Sequence, residues 1–361
     1  MRLLLTADSV GGVWQYATDL ARALQPHGIV PILAVLGPPP SPDQRAAAEG
    51  LTVIETGLPL DWLAGSPSAV KAAAKAVAAL AAPKRVDLVQ LNTPALAVAD
   101  YPVRVVAVAH SCVATWWDAV IGGDMPDDLR WRADLHAAGL RRADRVVTPS
   151  ACFAEATRRI YRLQELPTTV HNGRAPWSLP PVAPGASAFT AGRLWDAGKD
   201  VATLDRAAAA MPMPLHAAGP LTGPNGDIVT LANMRALGVL GDAELAAQLA
   251  ARPVFVSAAL YEPFGLAVLE AAQAGCPLVL SDIPTFRELW DEAAIFVAPR
   301  DADGFAAAMS GLCDDSAVRA EWGGKAAGRA SRYTVEAMAS GMTSIYRDLL
   351  GRGAERAKAA A

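Results

Sequence analysis

The sequence predicts an α/β protein of two doubly wound, Rossmann-like domains facing each other across a cleft. Three observations lead there. Short β-rich runs, apolar on both faces, alternate with Ala-rich helical segments, which is the pattern of parallel sheets covered by helices on both sides. One break interrupts the alternation at residues 175–185, where Pro176, Pro180, Pro181 and Pro184 make a stiff linker. Beyond it the same alternation restarts.

Taken in order, the runs at 3–6, 29–35, 52–55, 86–91, 103–109 and 145–148 read as the strands of the first domain, residues 1–174. Gly11 and Gly12 follow the first strand and precede a helix at 13–24, so backbone could approach a phosphate or sugar closely there. The second domain, 186–334, takes strands at 186–191, 215–218, 254–257, 278–281 and 294–297. An amphipathic helix at 335–350 and a frayed tail at 351–361 close the chain. Ligands in doubly wound sheets bind beyond the C-terminal strand ends, so the loops after these strands are the places to search.

At 361 residues, 52% hydrophobic and 19% charged, the chain can bury two substantial cores and fits no disorder class. Net charge is −4: 16 basic against 16 acidic residues through Asn172, then 16 against 20. That balance argues against nucleic acid as a partner. Arg2 precedes only a short apolar strand followed by Asp8, and no apolar run approaches the ~20 residues of a membrane span. A cytoplasmic location is expected. Cys112, Cys152, Cys276 and Cys313 lack CxxC spacing, so they read as buried thiols rather than zinc ligands or disulfides.

The most informative stretch is EPFGLAVLEAAQAGCPLVLSD, residues 262–282. Glu262 lies in a loop after a strand and Glu270 on the helix that follows, stopped by Gly275 and Pro277. From 266 to 272 every residue except Glu270 is apolar, so this helix should be buried, where an unpaired carboxylate costs on the order of several kcal/mol. Glu270 therefore needs hydroxyl or cationic partners. Amides around Gly265 and Leu266 would form a helix N-terminus suited to phosphate oxygens. A sugar nucleotide meets both demands, with diphosphate on the amides and hydroxyls on the two carboxylates. Pairing of the glutamates with arginines is the alternative.

This stretch closely resembles the signature of glycosyltransferase family 4, retaining enzymes of the GT-B fold with two glutamates separated by seven residues. AGRLWDAGKD at 191–200 resembles the segment that supplies the family's Arg and Lys pair for the donor diphosphate, here Arg193 and Lys199. LHAAGP at 215–220 is similar to the strand and glycine turn that follow, and brings in Gly219. The opening TADSVGGVWQYATDLARALQPHG is similar to the family's first strand, glycine loop and helix, so the resemblance covers nearly the whole chain. Two details depart from it. HNGR at 171–174 replaces the usual proline before Asn-Gly and aspartate after it, and His27-Gly28 reverses the usual Gly-His order.

The resemblance implies a GT-B fold with a C-terminal helix, about 335–361, crossing back onto an acceptor-binding N-terminal domain. It implies donor contacts at Gly11, Gly12, Gly219, Phe264, Gly265, Leu266 and Glu270, with Glu262 on sugar hydroxyls and Glu270 on the ribose. His110, at the end of an apolar strand, is expected to touch the donor sugar. No metal and no cofactor are expected, since Arg193 and Lys199 would neutralise the leaving diphosphate. Asp301-Ala302-Asp303 has the DxD pattern of metal sites in another glycosyltransferase fold, but an aspartate N-cap explains it here.

Three further features need weighing. A GxGxxG reading from Gly12 would require glycine at Trp14, whose indole would block a pyrophosphate, which disfavours a dinucleotide-dependent dehydrogenase. Between 129 and 162, Arg130, Arg132, Arg141, Arg142, Arg145, Arg158, Arg159 and Arg162 outnumber the acids. They could give weak peripheral contact with anionic lipid or a phosphorylated acceptor, but the interspersed carboxylates favour an ordinary solvated face. Trp116 and Trp117, in a stretch after His110 that reads as a loop, are candidates for an acceptor platform.

The function expected is transfer of a hexose-type sugar, with retention, from a nucleoside diphosphate donor such as a UDP- or GDP-sugar to a hydroxyl of a carbohydrate, lipid-linked or small-molecule acceptor. A sugar-nucleotide 2-epimerase on the same architecture fits Arg193, Lys199 and the two glutamates less well. A non-catalytic sugar-binding protein would ordinarily carry an export signal.

Overall fold

The structure, a computed structural model, describes residues 1–359, with side chains in the last helix as far as Gly351. Residues 360 and 361 of the expected tail lie outside the described residues. The chain divides into two compact units, Met1–Gly173 with the C-terminal helix, and Arg174–Thr334.

The first unit holds a seven-stranded, all-parallel sheet of β1 (Arg2–Asp8), β2 (Val30–Leu36), β3 (Thr52–Glu55), β4 (Leu88–Leu91), β5 (Arg104–Val108), β6 (Arg145–Thr148) and β7 (Thr168–Thr169). Their order is β3-β2-β1-β4-β5-β6-β7, the doubly wound arrangement. Leu3 and Leu5 of β1 share a core with Trp14 and Leu20 of the helix Gly12–Leu24. Val335, Met338, Ala339, Met342 and Tyr346 of the helix Val335–Ala359 complete that core, so this helix belongs physically to the first unit.

The second unit repeats the plan with β8 (Ala188–Ala191), β9 (Leu215–Ala218), β10 (Arg235–Gly238), β11 (Val254–Ser257), β12 (Leu278–Ser281) and β13 (Ile295–Val297). The order is β10-β9-β8-β11-β12-β13, again all parallel. Phe189, Phe255, Leu269, Leu278 and Phe286 form one side of its core. Each sheet switches direction beside its first strand, which places the loops after β1 and β4, and after β8 and β11, at the expected ligand edge.

The structure departs from sequence expectation in four places. The helix Val335–Ala359 runs on through residues 351–359, which were expected as a frayed tail. Strands β7 and β10 have no sequence signal, one being two residues long and the other an exposed edge strand. The expected loop after His110 contains the helix Val113–Val120, which changes the setting of Trp116 and Trp117. Trp14 turns its indole into the core rather than over the glycine loop, so it would not block a pyrophosphate; what remains against the dinucleotide reading is the missing glycine. Among the described residues, no helix is long and apolar enough to cross a membrane.

One buried carboxylate anchors the loop before β10. Asp205 accepts hydrogen bonds from the backbone N–H groups of Ala232, Asn233 and Met234 at 2.9–3.1 Å. Burial pushes its pKa up, but the amides of Met234, Asn233 and Ala232 outweigh that and hold it below the usual carboxylate value. A depressed folded pKa adds stability above the unfolded pKa of about 4, which is lost as pH falls through the folded value. Asp205→Ala strands three amides and is expected to cost roughly 1–3 kcal/mol at pH 7. The difference from wild type should shrink in denaturant melts below about pH 4; a difference independent of pH would show that the carboxylate charge is not what holds the loop.

Candidate active site

The second unit gathers most of the candidate residues beyond β8 and β11. After β8 the chain turns at Gly192, and the loop carries Arg193 and then a short turn, Ala197–Lys199. Gly219, after β9, lies so close to this loop that a Cβ there would stand 1.8 Å from the Gly192 carbonyl oxygen. Its small size lets the two strand ends approach, so it serves the position of Arg193 through packing. Asp196 completes the turn: one carboxylate oxygen accepts from Gly198 N–H at 2.9 Å, the other from Arg193 Nη2 at 2.9 Å. Arg193 also stands over the Trp195 ring, 5.9 Å from its centroid.

The loop after β11 is fastened to this turn. Leu260 and Tyr261 N–H both donate to the Gly198 carbonyl, at 2.9 and 3.3 Å. That brings Glu262 within reach of Lys199, whose Nζ donates to Glu262 Oε2. Gly265 then adopts a left-handed φ of 92° as N-cap of the helix Leu266–Gln273. The first ladder bond there is Leu269 N–H to Gly265 carbonyl, so the amides from Leu266 precede the ladder. Phe264 is buried edge-on against Tyr333, ring centroids 5.7 Å apart, so its side chain belongs to the core.

Glu270 is 7% exposed, as the apolar surroundings required, and its partner is Arg174, Nε to Oε1 at 2.6 Å. Arg174 is fixed three ways: the Gln273 amide donates to its carbonyl at 2.8 Å, its own N–H donates to the Tyr333 carbonyl at 3.3 Å, and its guanidinium holds Glu270. Both glutamates are thus ion-paired, Glu262 to a lysine and Glu270 to an arginine. Sequence reasoning noted Arg174 only as a departure from the family's hinge pattern. The signal that could have promoted it was the demand of Glu270 for a cation.

In the first unit, Gly11 takes a φ of 95° as N-cap of the helix Gly12–Leu24. His110 follows β5, half-buried, its Nε2 3.2 Å from Asn92 Oδ1 and its ring edge-on to Tyr16 at 4.3 Å. Burial pushes its pKa down to about 3, so the imidazole is neutral. Sequence reasoning missed Gln90, Asn92, Tyr16 and Tyr346 around it; the available signal was Gln90, a lone polar residue in an otherwise apolar strand.

Trp116 and Trp117 are both half-buried, ring centroids 6.5 Å apart, and Trp117 Nε1 donates to the Gly123 carbonyl at 3.3 Å. Successive helical positions diverge by roughly 100°, so the two indoles cannot fill one core position. An acceptor platform predicts that Trp116→Ala or Trp117→Ala lowers transfer to acceptor while donor hydrolysis without acceptor persists. Parallel loss of both activities with a lower melting temperature would make the tryptophans structural.

Two other features have local partners. Asp301 caps the helix Ala302–Asp314, accepting from Gly304 N–H at 2.9 Å. The arginines of the basic stretch are largely spent on neighbours: Arg130, Arg142, Arg145, Arg158 and Arg159 pair with Asp127, Asp100, Asp348, Glu155 and Asp118. Those pairs are solvent-exposed, where each is worth little.

Comparison with known proteins agrees with this architecture. Residues 10–176 match the family model described as Glycosyltransferase Family 4, and residues 187–315 match Glycosyl transferases group 1. The phosphatidyl-myo-inositol mannosyltransferase of Mycolicibacterium smegmatis is 32% identical over 124 residues, which cover 34% of this chain and 32% of that protein. The match thus spans about a third of that relative's length. Sucrose-phosphate synthase from Thermosynechococcus elongatus superposes with a TM-score of 0.79 at 20% identity, covering 98% of this chain and 100% of its own. Anabaena HepE, solved in complex with UDP-glucose, superposes with a TM-score of 0.74 at 19% identity, covering 97% and 100%. With both halves matched and the same paired parallel sheets, the chain belongs to glycosyltransferase family 4 and has the GT-B fold.

Proposed function

We propose that the protein transfers a sugar, with retention of anomeric configuration, from a nucleoside diphosphate donor to an acceptor hydroxyl without a metal ion. The observation that carries this reading is the convergence of Arg193, Lys199, Glu262 and the helix start at Gly265 beyond β8 and β11. The complex of HepE with UDP-glucose supports a donor of the same class.

On this reading Lys199 exchanges Glu262 for the donor diphosphate, and Arg193 exchanges or shares Asp196. The two cations and the amides from Leu266 stabilise the negative charge that builds on the leaving diphosphate. Glu262, released, accepts hydrogen bonds from sugar hydroxyls, and Glu270 serves the ribose from its fixed place beside Arg174. Within the first unit, His110 and the loop at Gly11 and Gly12 are the candidates for contact with the sugar. The acceptor attacks from the face the diphosphate leaves, and a diphosphate oxygen takes its proton, so no side-chain base is required.

Thermal-shift screening against UDP, GDP and ADP and their sugars tests the proposal. A ligand at 100 times its Kd adds about 2.7 kcal/mol to stability, so one base should stand out. Release of nucleoside diphosphate from the matching sugar nucleotide should accompany it. No stabilisation by any of the three, and no diphosphate release, would refute the reading.

A further inference from the structure

We infer that Asn92, held by Thr6 and by Gln90, which Tyr346 in turn orients, is a positioning residue that locks His110 in its Nε2–H tautomer and leaves Nδ1 as an acceptor for a hydroxyl of the transferred sugar. The hydroxyl contact rests on the donor-sugar role proposed above for His110; the tautomer does not.

The direction of the network follows from one backbone carbonyl. Asn92 Nδ2 lies 2.6 Å from the carbonyl oxygen of Thr6, which can only accept. The amide orientation of Asn92 is therefore set, and its Oδ1 is the acceptor end. Thr6 Oγ1 reinforces the placement by accepting from Asn92 N–H at 2.8 Å. Gln90 approaches Asn92 Oδ1 at 2.9 Å, so that atom of Gln90 is the amide nitrogen, which also donates to Tyr16 Oη at 3.3 Å. Gln90 Oε1 then faces outward along the network as an acceptor, and the Tyr346 hydroxyl donates to it. Gln90, Tyr16 and Tyr346 are buried, and burial raises both phenol pKa values, so both remain protonated donors.

His110 Nε2 meets Asn92 Oδ1 at 3.2 Å and must therefore supply the proton. A neutral imidazole has one N–H, so Nδ1 keeps its lone pair. No hydrogen bond to Nδ1 occurs among the described residues. The Tyr16 ring, edge-on at 4.3 Å, packs against the imidazole. A lone-pair acceptor attracts a sugar hydroxyl and repels a carboxylate. A neutral hexose should accordingly be preferred to the corresponding uronic acid.

Long-range proton–nitrogen NMR of the histidines in the full, ligand-free chain reads the tautomer directly, with His110→Ala assigning the signal. The wild-type protein should show a protonated Nε2 and an unprotonated Nδ1 at His110. Asn92→Ala should give mixed tautomers. With UDP-glucose or GDP-mannose as donor, it should lower kcat about fivefold, the scale of one ordinary hydrogen bond, without changing affinity for free UDP or GDP. Because Asn92 acts through His110, Asn92→Ala should add no further loss in a His110→Ala background. A protonated Nδ1 in the wild type overturns the inference without recourse to any variant, as do additive losses in the double variant. Wild-type transfer by His110→Ala would instead overturn the sugar contact, while the spectrum still judges the tautomer.

Discussion

On the proposed mechanism, Arg193→Ala and Lys199→Ala are each expected to lower turnover by roughly 10² or more, because each would remove a cation that answers charge developing on the leaving diphosphate. The structure adds a competing explanation. Lys199 also neutralises Glu262, whose side chain is only 15% exposed, so Lys199→Ala could act by leaving a carboxylate unpaired. A double variant separates the two. Adding Glu262→Gln to Lys199→Ala removes the stranded charge and should recover most of any lost melting temperature. If Lys199 serves the diphosphate, turnover stays low in the recovered fold; if its purpose is to neutralise Glu262, turnover rises with stability. Arg193 has the same duality with Asp196, though at 39% exposure its pair stabilises little, and Arg193→Ala should leave the fold intact. Near wild-type rates in both single variants would end the assignment.

Much of this was legible in the sequence because buried parallel strands are largely apolar runs, and those at 145–148, 215–218, 254–257 and 278–281 coincide with β6, β9, β11 and β12. The edge strands β7 and β10 lack that signal, one being only two residues long and the other mostly exposed, whereas the edge strands β3 and β13 keep β-branched residues and were legible. The helix Val113–Val120 was hidden because its start lacks a side-chain cap and adjacent tryptophans do not show helical periodicity. The carboxylates were legible for the same reason as the strands: an apolar helix with one glutamate demands a partner. The partners were not, because pairing is set by the fold. Lys199 stands 63 residues from Glu262 in sequence, and Arg174 stands 96 from Glu270. Gln90 offered the signal of a lone polar residue in β4, but its partners, Asn92 just after the strand and Tyr346 in the last helix, are set by the fold.

Breaking the Arg174–Glu270 pair is expected to have the largest effect on stability. The two side chains are 11% and 9% exposed, and removing one partner of a pair so buried typically costs about 3–5 kcal/mol. Arg174→Ala should show that loss in equilibrium denaturation, with saturating nucleotide restoring only its ordinary linkage contribution. Replacing both partners, Arg174→Met with Glu270→Leu, removes the desolvation penalty and should regain much of the stability. Function discriminates further. Glu270→Gln keeps size and one acceptor, so it should weaken binding of the free nucleoside diphosphate, and the restored double variant should bind it no better. On the proposed mechanism Lys199 leaves Glu262 for the donor, so Glu262→Gln should spare nucleotide affinity and depress sugar transfer. Wild-type stability of Arg174→Ala would mean that water or neighbouring groups already satisfy Glu270. Equal loss of bare nucleotide affinity in Glu262→Gln and Glu270→Gln would mean that the two carboxylates do not divide sugar from ribose.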